Sequence, residues 1–209
     1  MKIAAIIPVK TFSKAKTRLN LPSNQRDAIC KIMLEEVVKT ISNTKNIDKI
    51  IVVSKDDEAL KISKKFNVKE IFDDDESGVN HAVSLADNYL ENSEFDASIV
   101  FPQDIPLIQS QDIDNLIRFQ KSQQSVLVVP SRRFDGTNAL LRMPTNLMKT
   151  HYDEDSYKIH LEVGKSLTSN TSLIFLRRIM LDIDNQEDLE FLLSQNDKPE
   201  FCGKINEIS

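Results

Sequence analysis

The sequence predicts an α/β protein of three layers, α/β/α, with helices on both faces of a mostly parallel central sheet and one domain over residues 1–209. Three observations point there. Short apolar runs rich in Ile and Val, too brief for helices, recur along the chain. Amphipathic stretches of helical period lie between them, and that β-α-β alternation implies parallel strands. Finally, 209 residues suffice for one substantial core, and no repeat, low-complexity tract or Pro/Gly-rich linker divides them.

Residues 2–9 (KIAAIIPV) form the first strand, β-branched at its centre and closed by Pro8. Ser23 caps a helix reaching about Asn43, with Ile29, Met33, Val37 and Ile41 recurring at i+4 on its buried face. Residues 50–54 (IIVVS) are the next strand, 56–66 a short charged helix with Leu60, Ile62 and Phe66 inward, and 68–72 a weaker strand. Asp73-Asp74-Asp75-Glu76 lacks the glycine and terminal Glu of a calcium loop and reads as a solvated turn. A helix from Gly78 to about Asn92 follows, then a strand at 97–101 (ASIVF), a helix at 111–121, and strands at 126–130 (VLVVP) and 139–143. Ser156 caps a short helix ending at Gly164. Residues 173–176 and 179–183 read as two more strands, and 187–194 as the last helix.

The net charge of -5 argues against a general nucleic-acid or membrane surface. Met1 leads straight into the first strand, with no leader and no apolar run near the roughly 20 residues that span a bilayer, so a cytoplasmic protein is expected. Cys30 falls on an apolar helix face as a small hydrophobe, and a disulfide with Cys202 is not expected in a reducing compartment. His81, His151 and His160 form no zinc-like pattern.

Local charge is more informative than net charge. Lys10, Lys14, Lys16 and Arg18 crowd into nine residues directly after the first strand. In open α/β sheets ligands collect outside the carboxyl ends of strands, so the loop is either a site for a strongly anionic ligand or a solvated basic loop. Asp104 follows a buried strand and is braced by Pro102 and Pro106, which suits a magnesium ligand; an Asx turn is the structural alternative. Asp182 and Asp184 share a side by alternation, and Asp184 could partner Asp104 at a metal or, with Glu187 three residues on, cap the last helix. Glycine is scarce, four residues where average usage is about 7%, so Gly78 and Gly136 at element junctions mark either a ligand approach or ordinary turns. GxxxxGK[ST] and GxGxxG are both absent, which removes P-loop NTPases and the ordinary dinucleotide fold. What remains fits a nucleoside triphosphate held by cations and magnesium.

IPVKTFSKAKTRL (7–19), GVNHAV (78–83), FPQDIPLI (101–108), GTNALL (136–141), SYKIH (156–160) and LDIDNQEDL (181–189) occur in the order seen in one enzyme family. The chain resembles the archaeal 2-phospho-L-lactate guanylyltransferases of coenzyme F-420 synthesis, nucleotidyltransferases with a glycosyltransferase-A-like, nucleotide-diphospho-sugar transferase-like fold. The resemblance spans nearly the whole chain, and GTNALL followed by SxxxH is its narrowest part. It implies that Lys10, Lys16 and Arg18 hold the triphosphate of GTP and that Gly78 and Asn80 sit by the guanine. It further implies magnesium on Asp104 and Asp184, an acceptor site lined by Thr137, Asn138 and Ser156, and room for a homodimer. The family usually has glycine just before the Ser of SxxxH, where this chain has Asp153-Glu154-Asp155. Acidic groups there should repel an anionic acceptor unless they point away or bind metal.

Overall fold

In the computed structural model, which describes residues 1–153 and 155–208, β1 (Ile3–Val9) is the strand around which the sheet turns. It pairs in parallel with β2 (Lys49–Ser54) on one side and with β4 (Ala97–Val100) on the other. Outside β2 lies β3 (Lys69–Phe72); beyond β4 come β6 (Thr137–Met143), β5 (Ser125–Pro130) and β7 (Thr171–Leu173). The order is β3-β2-β1-β4-β6-β5-β7, with β6 antiparallel to both neighbours and every other pairing parallel. Connections from β1 leave to one side first and return on the other, so the carboxyl end of β1 is a topological switch point, where such sheets open a crevice.

The apolar runs lack polar alternation because both faces of each central strand are covered. Ile3, Ala5, Ile7 and Val9 pack toward α1 (Ser23–Ser42), α2 (Asp57–Lys64), α4 (Ser110–Arg118), α6 (Gln186–Gln195) and α7 (Pro199–Asn206). Ala4 and Ile6 face the other layer, α3 (Val79–Leu90) and α5 (Ser156–Leu167). No helix among the described residues is long and apolar enough to cross a membrane.

The structure departs from the sequence reading in several places. Pro22, not Ser23, is the N-cap of α1. Residues 179–183 are not a strand: Met180 O accepts from Arg132 N at 2.8 Å and Ile183 N donates to Asp104 O at 3.0 Å, so this segment is tied to loops across the end of the sheet. The strand read at 173–176 is shifted to Thr171–Leu173, and Phe175 beyond it is exposed. The α5 helix does not end at Gly164 but runs on to Leu167, with Asp155 rather than Ser156 at its N-cap. The final capping box pairs Asn185 with Asp188, one residue beyond Asp184 and Glu187. Gly136 needs no positive φ, and an added Cβ would meet Ser131 only at ordinary contact distance. The α7 helix, opened by Pro199 and burying Phe201, Cys202 and Ile205, has no counterpart in the sequence reading.

Candidate active site

A cavity of about 680 Å³ opens at the switch point. Its walls are contributed by the loop after β1, the turn after β3, the loop after β4, the start of β6, and residues 152, 153 and 184. The loop after β1 leaves the strand through a 3-10 turn (Phe12–Lys14) and is pinned by acidic groups from the ends of its neighbours. Phe12 N donates to Asp56 Oδ2 at 2.9 Å, and Thr11 N donates to Glu76 Oε1 at 2.6 Å. The turn after β3 is therefore not simply solvated: Asp73 is buried, and Glu76 also accepts from Lys14 Nζ. Burial works against the Glu76 charge, but these donors outweigh it and hold its carboxyl down at about 2.

Lys16 lies in the left-handed region, φ 51. Its ammonium is nearly buried and donates to Asp104 Oδ2 and, at 2.8 Å, to Asp184 Oδ1. Burial is the largest single influence on this amine and would lower its pKa, yet the two carboxylates and their hydrogen bonds together raise it well above the ordinary lysine value. Asp184 is correspondingly pulled below the carboxylate range: burial opposes this, and Lys16, then Arg18 and Arg133, overcome it. Asp182 accepts from Asn138 Nδ2 at 3.0 Å and is pushed well up, by burial and then by the neighbouring Asp104 charge. Asp104 has not formed an Asx turn, since its Oδ2 takes the Lys16 ammonium and its buried Oδ1 has no hydrogen-bond partner among the described residues.

Lys10, Lys14, Lys16 and Arg18 line this one cavity together with Asp104, Asp184, Gly78, Asn80 and Thr137. Lys10 and Arg18 are exposed and have no ion-pair partner among the described residues. Gly78 caps α3 with φ +109, a conformation that side chains rarely adopt, and nothing lies within 4 Å of where a Cβ would stand, so its backbone is open to the cleft. Asn138 and Ser156 are not in the wall. Asn138 is turned to Ile179 O and Asp182, both at 3.0 Å, and Ser156 Oγ donates to Thr137 Oγ1 at 3.0 Å from behind.

The acidic stretch before α5 resolves into distinct parts. Asp155 takes φ 56, the left-handed geometry that explains a glycine preference here, and its carboxylate pairs with Lys158 at 3.0 Å outside the cleft. Asp153 does line the cavity, 3.5 Å from Asn80 Nδ2. Glu154 lies outside the described residues. Residues left without a role in the sequence reading are Glu76, whose signal was an acid just past a strand's carboxyl end, and His160 of SxxxH, whose fully buried ring is held by Thr137 and His151.

Four cations and a carboxylate pair line one cavity at the switch point of an open α/β sheet, and the family that the chain matches is one of nucleotidyltransferases. A candidate nucleotide-diphospho-sugar transferase from Desulfovibrio desulfuricans G20 shares the fold, with a TM-score of 0.78 at 12% identity over 99% of this chain and 95% of its own. Residues 3–204 match the family described as guanylyl transferase CofC like, and the chain belongs to it. A 2-phospho-L-lactate guanylyltransferase from Methanobrevibacter smithii is 30% identical over 99% of this chain and 90% of its own. A phosphoenolpyruvate guanylyltransferase from Conexibacter woesei is 28% identical over 92% of this chain and 87% of its own.

Proposed function

We propose that this protein transfers GMP from GTP to the phosphate of a phosphorylated three-carbon acid, 2-phospho-L-lactate or phosphoenolpyruvate, in the cytoplasm and in the service of coenzyme F-420 synthesis. The observation that carries the reading is the Lys16 ammonium held between Asp104 and Asp184 in the wall of a cavity that Lys10, Lys14 and Arg18 also line. A phosphate oxygen of the acid attacks the α-phosphorus of GTP, the bond from that phosphorus to the bridging oxygen breaks, and pyrophosphate leaves with the electron pair. A phosphomonoester loses its second proton near pH ~6, so the nucleophile is already anionic at neutral pH and no general base is needed. The barrier left to the protein is repulsion between two anions, which Lys10, Lys16 and Arg18 offset while holding the reactants in line.

Magnesium fits the residues present. Asp104 and Asp184 already converge on one cation, and Asp104 Oδ1 is a buried acceptor with nothing to accept. Among the described residues no three acidic, His or Cys side chains gather as a metal cage; one or two carboxylates with substrate phosphates and water is the usual magnesium arrangement. Asp104 and Asp184 would hold the ion, which supplies positive charge to the phosphates.

The test is a pyrophosphate-release screen of the four nucleoside triphosphates against phospholactate, phosphoenolpyruvate and phosphoglycerate with magnesium. Release confined to GTP plus one of these acids is expected. Tight GTP binding without release from any of them would replace the enzyme reading with a nucleotide-binding module.

A further inference from the structure

Thr137, at the start of β6, lines the cavity two strands away from the one that feeds the basic loop. Across the sheet the strands run β1, β4, β6, so the loop of cations, then Asp104, then Thr137 succeed one another along the carboxyl edge. An in-line displacement needs its nucleophile opposite its leaving group. With pyrophosphate departing over the cations that follow β1, the acid enters from the β6 side.

The Thr137 hydroxyl is not free to choose its role. His151 N donates to His160 Nε2 at 2.8 Å, so that nitrogen is the acceptor and the ring proton sits on Nδ1. His160 Nδ1 lies 3.0 Å from Thr137 Oγ1 and therefore donates to it. Ser156 Oγ, buried and with no other hydrogen-bond partner among the described residues, donates to the same oxygen at 3.0 Å. A hydroxyl oxygen has two lone pairs and one proton. Both lone pairs are taken from behind, and no acceptor for the proton exists among the described protein groups.

We propose that His160 is a positioning residue for the acid: with Ser156 it fills both lone pairs of Thr137 Oγ1, which can then only donate, into the cleft, to an anionic oxygen of the phosphorylated acid. This rests on the proposed function and gives the His of SxxxH a role in which it acts through Thr137 without touching substrate. The ring is suited to it. It is fully buried, it makes a T-shaped contact with the Tyr152 ring at 4.9 Å between centroids, and burial, then His151 and Arg142, push its pKa down to about 3, so it stays neutral at working pH. A protonated ring would leave His151 N facing a second donor.

Steady-state pyrophosphate release, with acid varied at saturating GTP and the reverse, tests the proposal. Thr137→Val should raise KM for the acid about tenfold and leave KM for GTP unchanged, while Thr137→Ser stays near the parent. His160→Asn, whose amide can replace the Nδ1 donor, should keep the parental KM; His160→Gln, which can replace only the Nε2 acceptor, should raise it about as much as Thr137→Val. In a Thr137→Val background His160→Gln should add less than about twofold. Multiplicative effects, a change in KM for GTP instead, or an unchanged KM for the acid in His160→Gln would each overturn it. A parent that transfers to none of the acids overturns both the function and this inference; a parent that transfers while these variants behave alike overturns this inference alone. Should the variants not fold, nitrogen-15 histidine spectra of the parent decide: His160 fixed as the Nδ1–H tautomer from about pH 5.5 to 8 is expected, and an Nε2–H or titrating ring refutes it.

Discussion

Lys16 is under two constraints at once. Its left-handed backbone costs on the order of 1 kcal/mol, and its ammonium neutralises two carboxylates that would otherwise face one another. Lys16→Ala should lower pyrophosphate release by about 100-fold or more, the size of losing one preorganised charge at a reacting phosphorus, with circular dichroism unchanged. Turnover at the parental rate would remove the basic loop from the site. Asp104→Asn should depress pyrophosphate release and raise the magnesium needed for half-maximal rate in the same assay, and an active variant with the parental magnesium requirement would remove Asp104 as a ligand. The cations and Asp104 were legible because charge type and distance from a strand end are one-dimensional facts. The tie of Ser156 and His160 to Thr137 was not, since only the fold brings positions 137, 151, 156 and 160 together. His160 also has a stability signature. Its folded-state pKa lies below the unfolded value, so the unfolded chain takes up the extra proton and stability falls as pH drops from about 6.5 toward about 3. By pH 5 the loss is ~2 kcal/mol at 1.36 kcal/mol per unit. Asp182 acts oppositely in part of this window, its raised pKa favouring the fold as it protonates. The readout is therefore the difference between parent and His160→Asn in urea unfolding at pH 7 and 5, with the variant losing less.

α5 carries both Ser156 and His160, so the site depends on how this helix seats against the sheet. Gly164 marks the closest approach: an added Cβ would stand 2.9 Å from Thr171 Cγ2 and 3.1 Å from Val126 Cβ. Gly164→Ala should cost about 1–3 kcal/mol by overpacking, even though alanine is the better helix former. A higher melting temperature in that variant would contradict the close packing. The glycine looked like a helix end in the sequence because glycine is common there, and nothing in one dimension separates a terminating glycine from one admitting a neighbouring strand. The central strands were legible for the opposite reason, since burial on both faces writes itself as a continuous apolar run. Residues 179–183 carry a similar apolar signal, with Ile179 and Ile183 fully buried, but their backbone partners are loops, and composition does not say who the partner is. The last cap slipped by one residue because Asp184 with Glu187 and Asn185 with Asp188 have the same spacing. That single step matters, because it leaves the Asp184 carboxylate free for Lys16.

Over the whole molecule, charge and stability reside in different places. The protein is acidic, with a net charge of -5, yet its cavity gathers four cations, and three of them, Lys10, Lys14 and Arg18, are exposed. The fold rests instead on two apolar layers packed on opposite faces of one sheet. Salt should therefore separate the two properties. The Debye length shrinks from roughly 10 Å at about 0.1 M to about 3 Å at about 1 M, so exposed cations lose their reach toward an incoming triphosphate while the core is untouched. Raising potassium chloride from about 0.05 to about 0.5 M should raise KM for GTP on the order of tenfold, with the melting temperature moving by only a few degrees because exposed ion pairs contribute little. The double change Lys10→Gln with Arg18→Gln should flatten that dependence and leave the melting curve in place. Lys16, nearly buried between its carboxylates, is screened far less, so the salt dependence left in the double variant reports chiefly Lys14. A salt slope in the double variant equal to the parent's would mean that the triphosphate is held by groups other than the loop after β1.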